Sequence, residues 1–199
     1  MSEDHYVEPA SRADIEAKAY AWRDAFGIEG HCAAPDMPSV LEIMLPRRLP
    51  VVSIHVVSDQ GMSDVEAITT LDPPTITIRE SVYLAAASFD GRARMTLAHE
   101  LGHILLHKSA APLHRAPAKY LNADKLKPFA SAEYQANVFG AAFLVPEWIA
   151  CEFQEAETLA RHCCVSRKLA EIRLGQVKVR QPTSADGVAA SLIKDWTKR

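Results

Sequence analysis

The chain has 199 residues, 48% of them hydrophobic and 24% charged, with a net charge of −3 and a pI near 6.2. That is enough for one globular domain with its own core, and it excludes the global basic field of a nucleic-acid binder. Cys32, Cys151, Cys163 and Cys164 form no CxxC pair, no apolar run is long enough to span a membrane, and the acidic stretch Met1–Pro9 has no signal core. A reducing, cytoplasmic setting with no membrane contact is therefore expected.

In chain order, Ser11–Phe26 is predicted to be a helix, with Ser11 as its cap and Ile15, Ala19 and Trp22 on one stripe. After the proline-containing stretch Ala34–Pro38, a short helix over Val40–Leu45 is expected, capped by Ser39. Three strand candidates follow: Pro50–Val57, Val65–Thr70 and Thr75–Ile78, the last two separated by Pro73 and Pro74. They predict a small antiparallel or mixed sheet. Glu80–Ala87 reads as a helix, and Asp90-Gly91 opens another. Arg92 and Arg94 fall in that helix's first turns, where cations oppose the dipole. Solvent exposure is the simplest expectation for both, with a salt bridge or a contact to a substrate carboxylate as the functional reading.

That helix carries His99-Glu100-Leu101-Gly102-His103, an HExxH motif. Two imidazoles four residues apart share a helix face and can reach one zinc ion. Glu100 cannot join the same ligand geometry, but it can take a proton from a water at the metal. Leu97, Leu101, Ile104 and Leu105 recur at helical spacing, so another face is buried. Gly102 weakens a helix by about 1 kcal/mol relative to Ala, which points to a close approach by another element or a ligand. Two blander readings compete: core histidines, and a structural zinc. Structural zinc usually has four protein ligands, often cysteines, and none lies near this helix.

A catalytic zinc needs a third protein ligand. His107, His114, Asp124, Glu133 and His162 are the candidates. His107 lies one turn further along the same row, roughly 6 Å away along the axis, and three successive turns do not converge easily on one ion. His114 and Asp124 fall in the long, proline-containing connection Ser109–Ala130, which could wall a cleft. Glu133 opens a second helical pattern capped by Ser131 and ended by Pro146. One turn on, Asn137 shares its face and is placed to orient a ligand histidine.

HELGHxxLH followed by ExxANxFxAxxLxP resembles the ImmA/IrrE family of zinc metallopeptidases. The residues that carry it are His99, Glu100, Leu101, Gly102, His103, Leu106 and His107, then Glu133, Ala136, Asn137, Phe139, Ala141, Leu144 and Pro146. Val165–Leu174 is similar to a further family segment, so the resemblance spans roughly Ile76 to Leu174. Met95 and Gly140 depart from the pattern, where an aromatic and an alanine are more usual. The resemblance implies zinc held by His99, His103 and Glu133, with Glu100 as general base. It also implies an α+β, zincin-like fold: a small sheet beside the active-site helix, then further helices. On this reading residues 1–175 form one metallopeptidase domain and residues 176–199 a tail. The tail is expected to be a linker plus a short amphipathic piece around Leu192, Ile193 and Trp196.

The implied activity is site-specific cleavage of a helix-turn-helix repressor or antitoxin, with no direct nucleic-acid contact. The competing class is a toxin-like or anti-repressor interaction protein with a silent metal site. Arg161–Gly175 reads as a turn and a helix, a pattern a DNA reader could use, but the acidic chain shows no clustered basic face. Cys163 and Cys164, beside His162, read as small half-buried residues rather than a second metal site. Donors for a developing oxyanion are left open among Tyr83, Tyr120, Tyr134, His114 and His162.

Overall fold

A computed structural model of the chain describes residues 5–62, 64–107, 121–122 and 125–180. The first helix, α1 (Arg12–Ala25), starts as expected. Ser11 accepts from the Asp14 backbone N–H, and the Asp14 carboxylate reaches back to Ser11 in a reciprocal capping box. Ile15 and Ala19 are fully buried, and Trp22 packs on Phe26.

The next helical run begins earlier than the sequence suggested. It runs as α2 (Met37–Ser39), a π-helical stretch Val40–Met44 and α3 (Leu45–Arg48). Asp36, not Ser39, stands at the N-cap, and Pro38 sits in the first turn, where its missing N–H costs nothing. Ser39 lies inside the helix, with its hydroxyl donated back to the Asp36 carboxylate.

Three strands make a mixed sheet: β1 (Ser53–Val57), β2 (Ala67–Leu71) and β3 (Pro74–Arg79), in the order β1-β3-β2. β1 runs parallel to β3, with Ile54 opposite Ile76, and β2 is antiparallel to β3, with Thr69 opposite Ile76. Alternation puts Ile76 and Ile78 in the core, both fully buried, while Thr75 and Thr77 lie on the outer face.

Two helices follow directly: α4 (Glu80–Ala87) and α5 (Gly91–Leu106). Asp90 caps α5 by accepting from the N–H groups of Arg92 and Ala93. Leu97 and Leu101 are fully buried, as the stripe required. Within the connection 109–130, the short strands β4 (Leu121–Asn122) and β5 (Lys125–Leu126) pair antiparallel, and a 3-10 turn covers Pro128–Ala130. Then come α6 (Ala132–Leu144), α7 (Glu147–Ala150), α8 (Ala156–Cys163) and α9 (Arg167–Arg180). Cys164 ends α8 in the left-handed conformation (φ 50°), the usual way to close a helix before a sharp turn. The expected piece around Leu192, Ile193 and Trp196 lies outside the described residues.

α5 and α6 form the central packed pair. Small residues set their separation: a Cβ on Gly102 would sit 3.2 Å from the Ala136 backbone, and one on Gly140 3.2 Å from the Ala98 carbonyl carbon and the His99 nitrogen. The close approach that Gly102 suggested is therefore to α6.

Arg94 corrects the expectation of exposure. It is fully buried, donates to the carbonyls of Pro35 at 3.0 Å and Cys163 at 3.5 Å, and lies over the Phe89 ring. Arg92 is exposed and pairs with Glu66. Two further arginines are buried. Arg23 donates to the carbonyls of Phe143 and Cys32. Arg173 pairs with buried Glu16 at 2.6 Å and donates to the Val145 carbonyl and the Tyr20 hydroxyl. Breaking such a pair from one side typically costs about 3–5 kcal/mol, so the Arg173–Glu16 contact ties α9 firmly to α1. No helix among the described residues is long and apolar enough to cross a membrane.

Candidate metal centre

The site lies where α5 crosses the first turns of α6, with β2 alongside. His99 and His103, one helical turn apart, bring their Nε2 atoms to 3.0 Å of each other. Glu133, in the first turn of α6, places one carboxylate oxygen 3.2 Å from His99 Nε2 and the other 3.5 Å from His103 Nε2. The three ligand atoms lie within 4.8 Å of one another. α6 can begin at this point because Ser131 caps it, accepting from the Tyr134 N–H. Glu133 thus sits at the positive end of the helix dipole, which favours its charge. An N,N,O set of two neutral imidazoles and one carboxylate is the donor chemistry of a catalytic zinc with an open position. The residues present fit such an ion.

The electrostatics agree with this donor set. Hydrogen bonds from His103 and His99 hold the Glu133 carboxyl well below the usual carboxylate range, against a burial effect of opposite sign. Burial works against the charged form of His99, but Glu133, the Glu100 charge and Asn137 outweigh it and raise its pKa.

Each imidazole has a partner on its other nitrogen. Asn137 Oδ1 lies 3.2 Å from His99 Nδ1, and the Asn137 amide donates to the Glu133 carbonyl at 2.8 Å. His103 Nδ1 lies 3.2 Å from His107 Nδ1. His107 is not part of the three-residue group. α5 ends at Leu106, and His107 takes an extended conformation (φ −106°, ψ 114°) as the residue that terminates the helix. It is buried, and burial first, then the His103 charge, pushes its pKa down to about 4.

Glu100, which follows His99 on α5, is not in the three-residue group, but its charge acts on His99. It is 8% exposed, and Thr69 of β2 donates its hydroxyl to Glu100 Oε2 at 2.7 Å. Sequence reasoning missed this role for Thr69, because nothing in a β-branched strand residue marks it as a partner of a helix 31 positions away. It also missed the segment before α1. The Val7 and Ala10 N–H groups donate to the carbonyls of Ala130 and Phe129, and Gln135 of α6 donates to Glu8 and Phe129. This strap fixes the entry to the helix that carries Glu133.

The other candidates lie elsewhere. His162 on α8 packs against the Phe153 ring at a tilt of 42°, and Tyr83 on α4 interacts with Glu42. Tyr134 is half-buried in the first turn of α6. His114, Tyr120 and Asp124 lie outside the described residues.

A mixed sheet set against an HExxH helix, with a glutamate delivered by a later helix, defines a zincin-like α+β metallopeptidase domain. The family model of the IrrE N-terminal-like domain, a peptidase family, matches residues 52–174, and the chain belongs to that family. The match begins just before β1 and ends inside α9. A search of curated proteins finds no match.

Proposed function

We propose that this chain is a zinc-dependent endopeptidase that cuts a helix-turn-helix transcriptional repressor or antitoxin and so works as a regulatory switch in the cytoplasm. The observation that carries the zinc assignment is the convergence of His99 Nε2, His103 Nε2 and the Glu133 carboxylate, with a separate carboxylate, Glu100, held beside them. A bound zinc ion would supply Lewis acidity and lower the pKa of its water. Glu100 then accepts the proton of the attacking water and returns it to the leaving amine nitrogen. Thr69 occupies one oxygen of that carboxylate and leaves the other to handle the proton.

β2 supports a peptide substrate. It is an edge strand of the described sheet, and its Thr69 touches Glu100. An extended segment added along the edge that β2 leaves unpaired in the described sheet would gain main-chain hydrogen bonds, and the Thr69–Glu100 contact ties that strand to α5. A recognition site of this kind needs the substrate loop or linker to unfold locally into a strand.

The test is co-expression with a candidate helix-turn-helix regulator, chosen from the genes that neighbour this one. The expected result is a discrete cleavage product with the wild-type chain and none with Glu100→Gln, which keeps size and zinc but removes the base. Loss of proteolysis should be at least ~10²-fold. If Glu100→Gln still relieved repression in cells, the chain would act by binding alone, as a toxin-like or anti-repressor partner.

A further inference from the structure

We infer that His107 is a positioning residue for the metal site: its Nδ1 accepts the N–H of His103 Nδ1 and so fixes the ring and tautomer of that ligand. The inference rests on the zinc site proposed above and adds a residue to it. The two Nδ1 atoms are 3.2 Å apart. Two bare lone pairs would repel at that distance, so one of the two nitrogens carries a hydrogen. His103 Nε2 is the nitrogen turned toward His99 and Glu133. To donate its lone pair to a metal it must be unprotonated, which places the hydrogen of the neutral ring on Nδ1. His103 is then the donor, and His107 Nδ1 the acceptor.

The backbone explains why a residue one turn beyond the motif does this rather than ligating. Had α5 continued, His107 would have stayed in the helical row, one turn further from the metal. The extended conformation at His107 ends the helix and lets its ring, tilted 56° to that of His103, meet the side of His103 facing away from Glu133. His107 must in turn carry its hydrogen on Nε2, a buried nitrogen with no hydrogen-bond partner among the described residues. Gln135 makes a polar contact with this ring. Its amide nitrogen is already donated to the Glu8 and Phe129 carbonyls at 2.9 and 2.8 Å. Only the Gln135 carboxamide oxygen is then left to interact with the ring, short of a hydrogen bond to Nε2.

Both ligand imidazoles are thus held from behind by neutral acceptors, His99 by Asn137 and His103 by His107. An acceptor on the far nitrogen raises ligand basicity and removes the cost of orienting the ring. A neutral imidazole does this without adding charge, so the site keeps the net charge set by Glu133 and Glu100.

The experiment uses the full chain and zinc, with affinity read by competition against a chromophoric chelator. His107→Phe keeps a ring of similar volume and removes the acceptor. His107→Asn places an amide oxygen near the position of Nδ1. The expected result is zinc affinity about 10–100-fold weaker for His107→Phe, with His107→Asn restored to within about threefold of wild type. A His107→Phe chain that binds zinc like wild type overturns the inference, as does a His107→Asn chain as weak as His107→Phe. The wild-type chain supplies a readout that needs no variant. Nitrogen chemical shifts of the zinc-loaded protein should show hydrogen on His103 Nδ1 and on His107 Nε2, and hydrogen on His107 Nδ1 overturns the assignment. Failure of the wild-type chain to bind zinc at all would instead remove the metal site itself, and this inference with it.

Discussion

Thr69 donates its hydroxyl to Glu100 Oε2 at 2.7 Å, so one hydrogen bond joins an edge strand to the carboxylate beside the metal group. The bond is charge-assisted, and such bonds are roughly twice as strong as neutral ones. It selects one rotamer of Glu100 and spends one of its two oxygens. Thr69 lies in the strand proposed to bind substrate, so that strand and the Glu100 carboxylate are joined by one side-chain contact. Thr69→Val keeps the β-branched shape and deletes only the donor. The expected effect is a fall in kcat of about 10-fold, equivalent to ~1.4 kcal/mol at the barrier, with zinc content unchanged. Steady-state kinetics on the cognate substrate decide it. An unaltered kcat would reduce Thr69 to a strand-packing residue.

Asn137 joins two parts of the site. Its Oδ1 meets His99 Nδ1, and its amide meets the Glu133 carbonyl one turn back on the same helix. Asn137→Ala should therefore weaken zinc binding by roughly 10–100-fold while leaving the fold of the metal-free chain intact. Isothermal titration or chelator competition measures this directly, with circular dichroism as the control for folding. Equal affinity in the variant would mean that His99 needs no outer partner.

Why some of this was legible and some was not follows from where each signal lies. α1, α5 and α6 announce themselves locally: Ser11, Asp90 and Ser131 cap them, and apolar residues recur at helical spacing behind each cap. His99 and His103 could be paired, and Asn137 placed beside Glu133, because helical periodicity is a short-range rule, whereas the choice of Glu133 as third ligand came from the family resemblance. The mixed sheet was legible as strands but not as an order. The parallel β1–β3 pairing depends on a connection that passes through β2, and no local pattern states it. Arg94 was read as exposed because most arginines are. Its burial depends on carbonyl groups 59 and 69 positions away. Ser39 has the residue type of a cap and directly precedes the apolar run Val40–Leu45, but the helix starts three positions earlier, after Asp36. Pro38, a favourable residue for a first helical turn, was the better marker of the start. Thr69 and His107 owe their roles to tertiary placement, the first across a strand–helix contact and the second through the way a helix ends.

Metal uptake should depend on pH with a definite sign. The metal-free chain holds the His99 proton more tightly than an ordinary imidazole, since Glu133, Glu100 and Asn137 outweigh the effect of burial. Binding a metal requires that proton to leave. Protons therefore compete with zinc up to pH values above the ordinary imidazole pKa of about 6.5, and apparent affinity rises with pH across that range. Zinc binding should release protons near neutral pH. Calorimetry in buffers of different ionisation enthalpy would reveal this, and a proton count of zero at pH 7 would contradict it.

The last prediction concerns the packing that brings Glu133 to the histidines. Gly102 of α5 faces the Ala136 backbone of α6, and an added Cβ would lie 3.2 Å from Ala136 Cα and O and 3.3 Å from Phe139 Cβ. Two effects of Gly102→Ala oppose each other. Helix propensity favours alanine by about 1 kcal/mol. Against it, overpacking between two close helices typically costs about 1–3 kcal/mol. These nearly cancel, so thermal stability should change by no more than a few degrees. The site has no such compensation. Relief of the contact pushes α6 away from α5 by a few tenths of an ångström, and Glu133 and Asn137 move with α6 while His99 and His103 stay on α5. Ligand geometry tolerates only about 0.2 Å, so zinc affinity should fall by about 10-fold or more while Tm stays nearly constant. The two measurements, Tm of the metal-free chain and zinc affinity by competition, separate the outcomes. A variant with wild-type zinc affinity would mean that the helices yield elsewhere, and that Gly102 is a packing convenience rather than the spacer of the metal site.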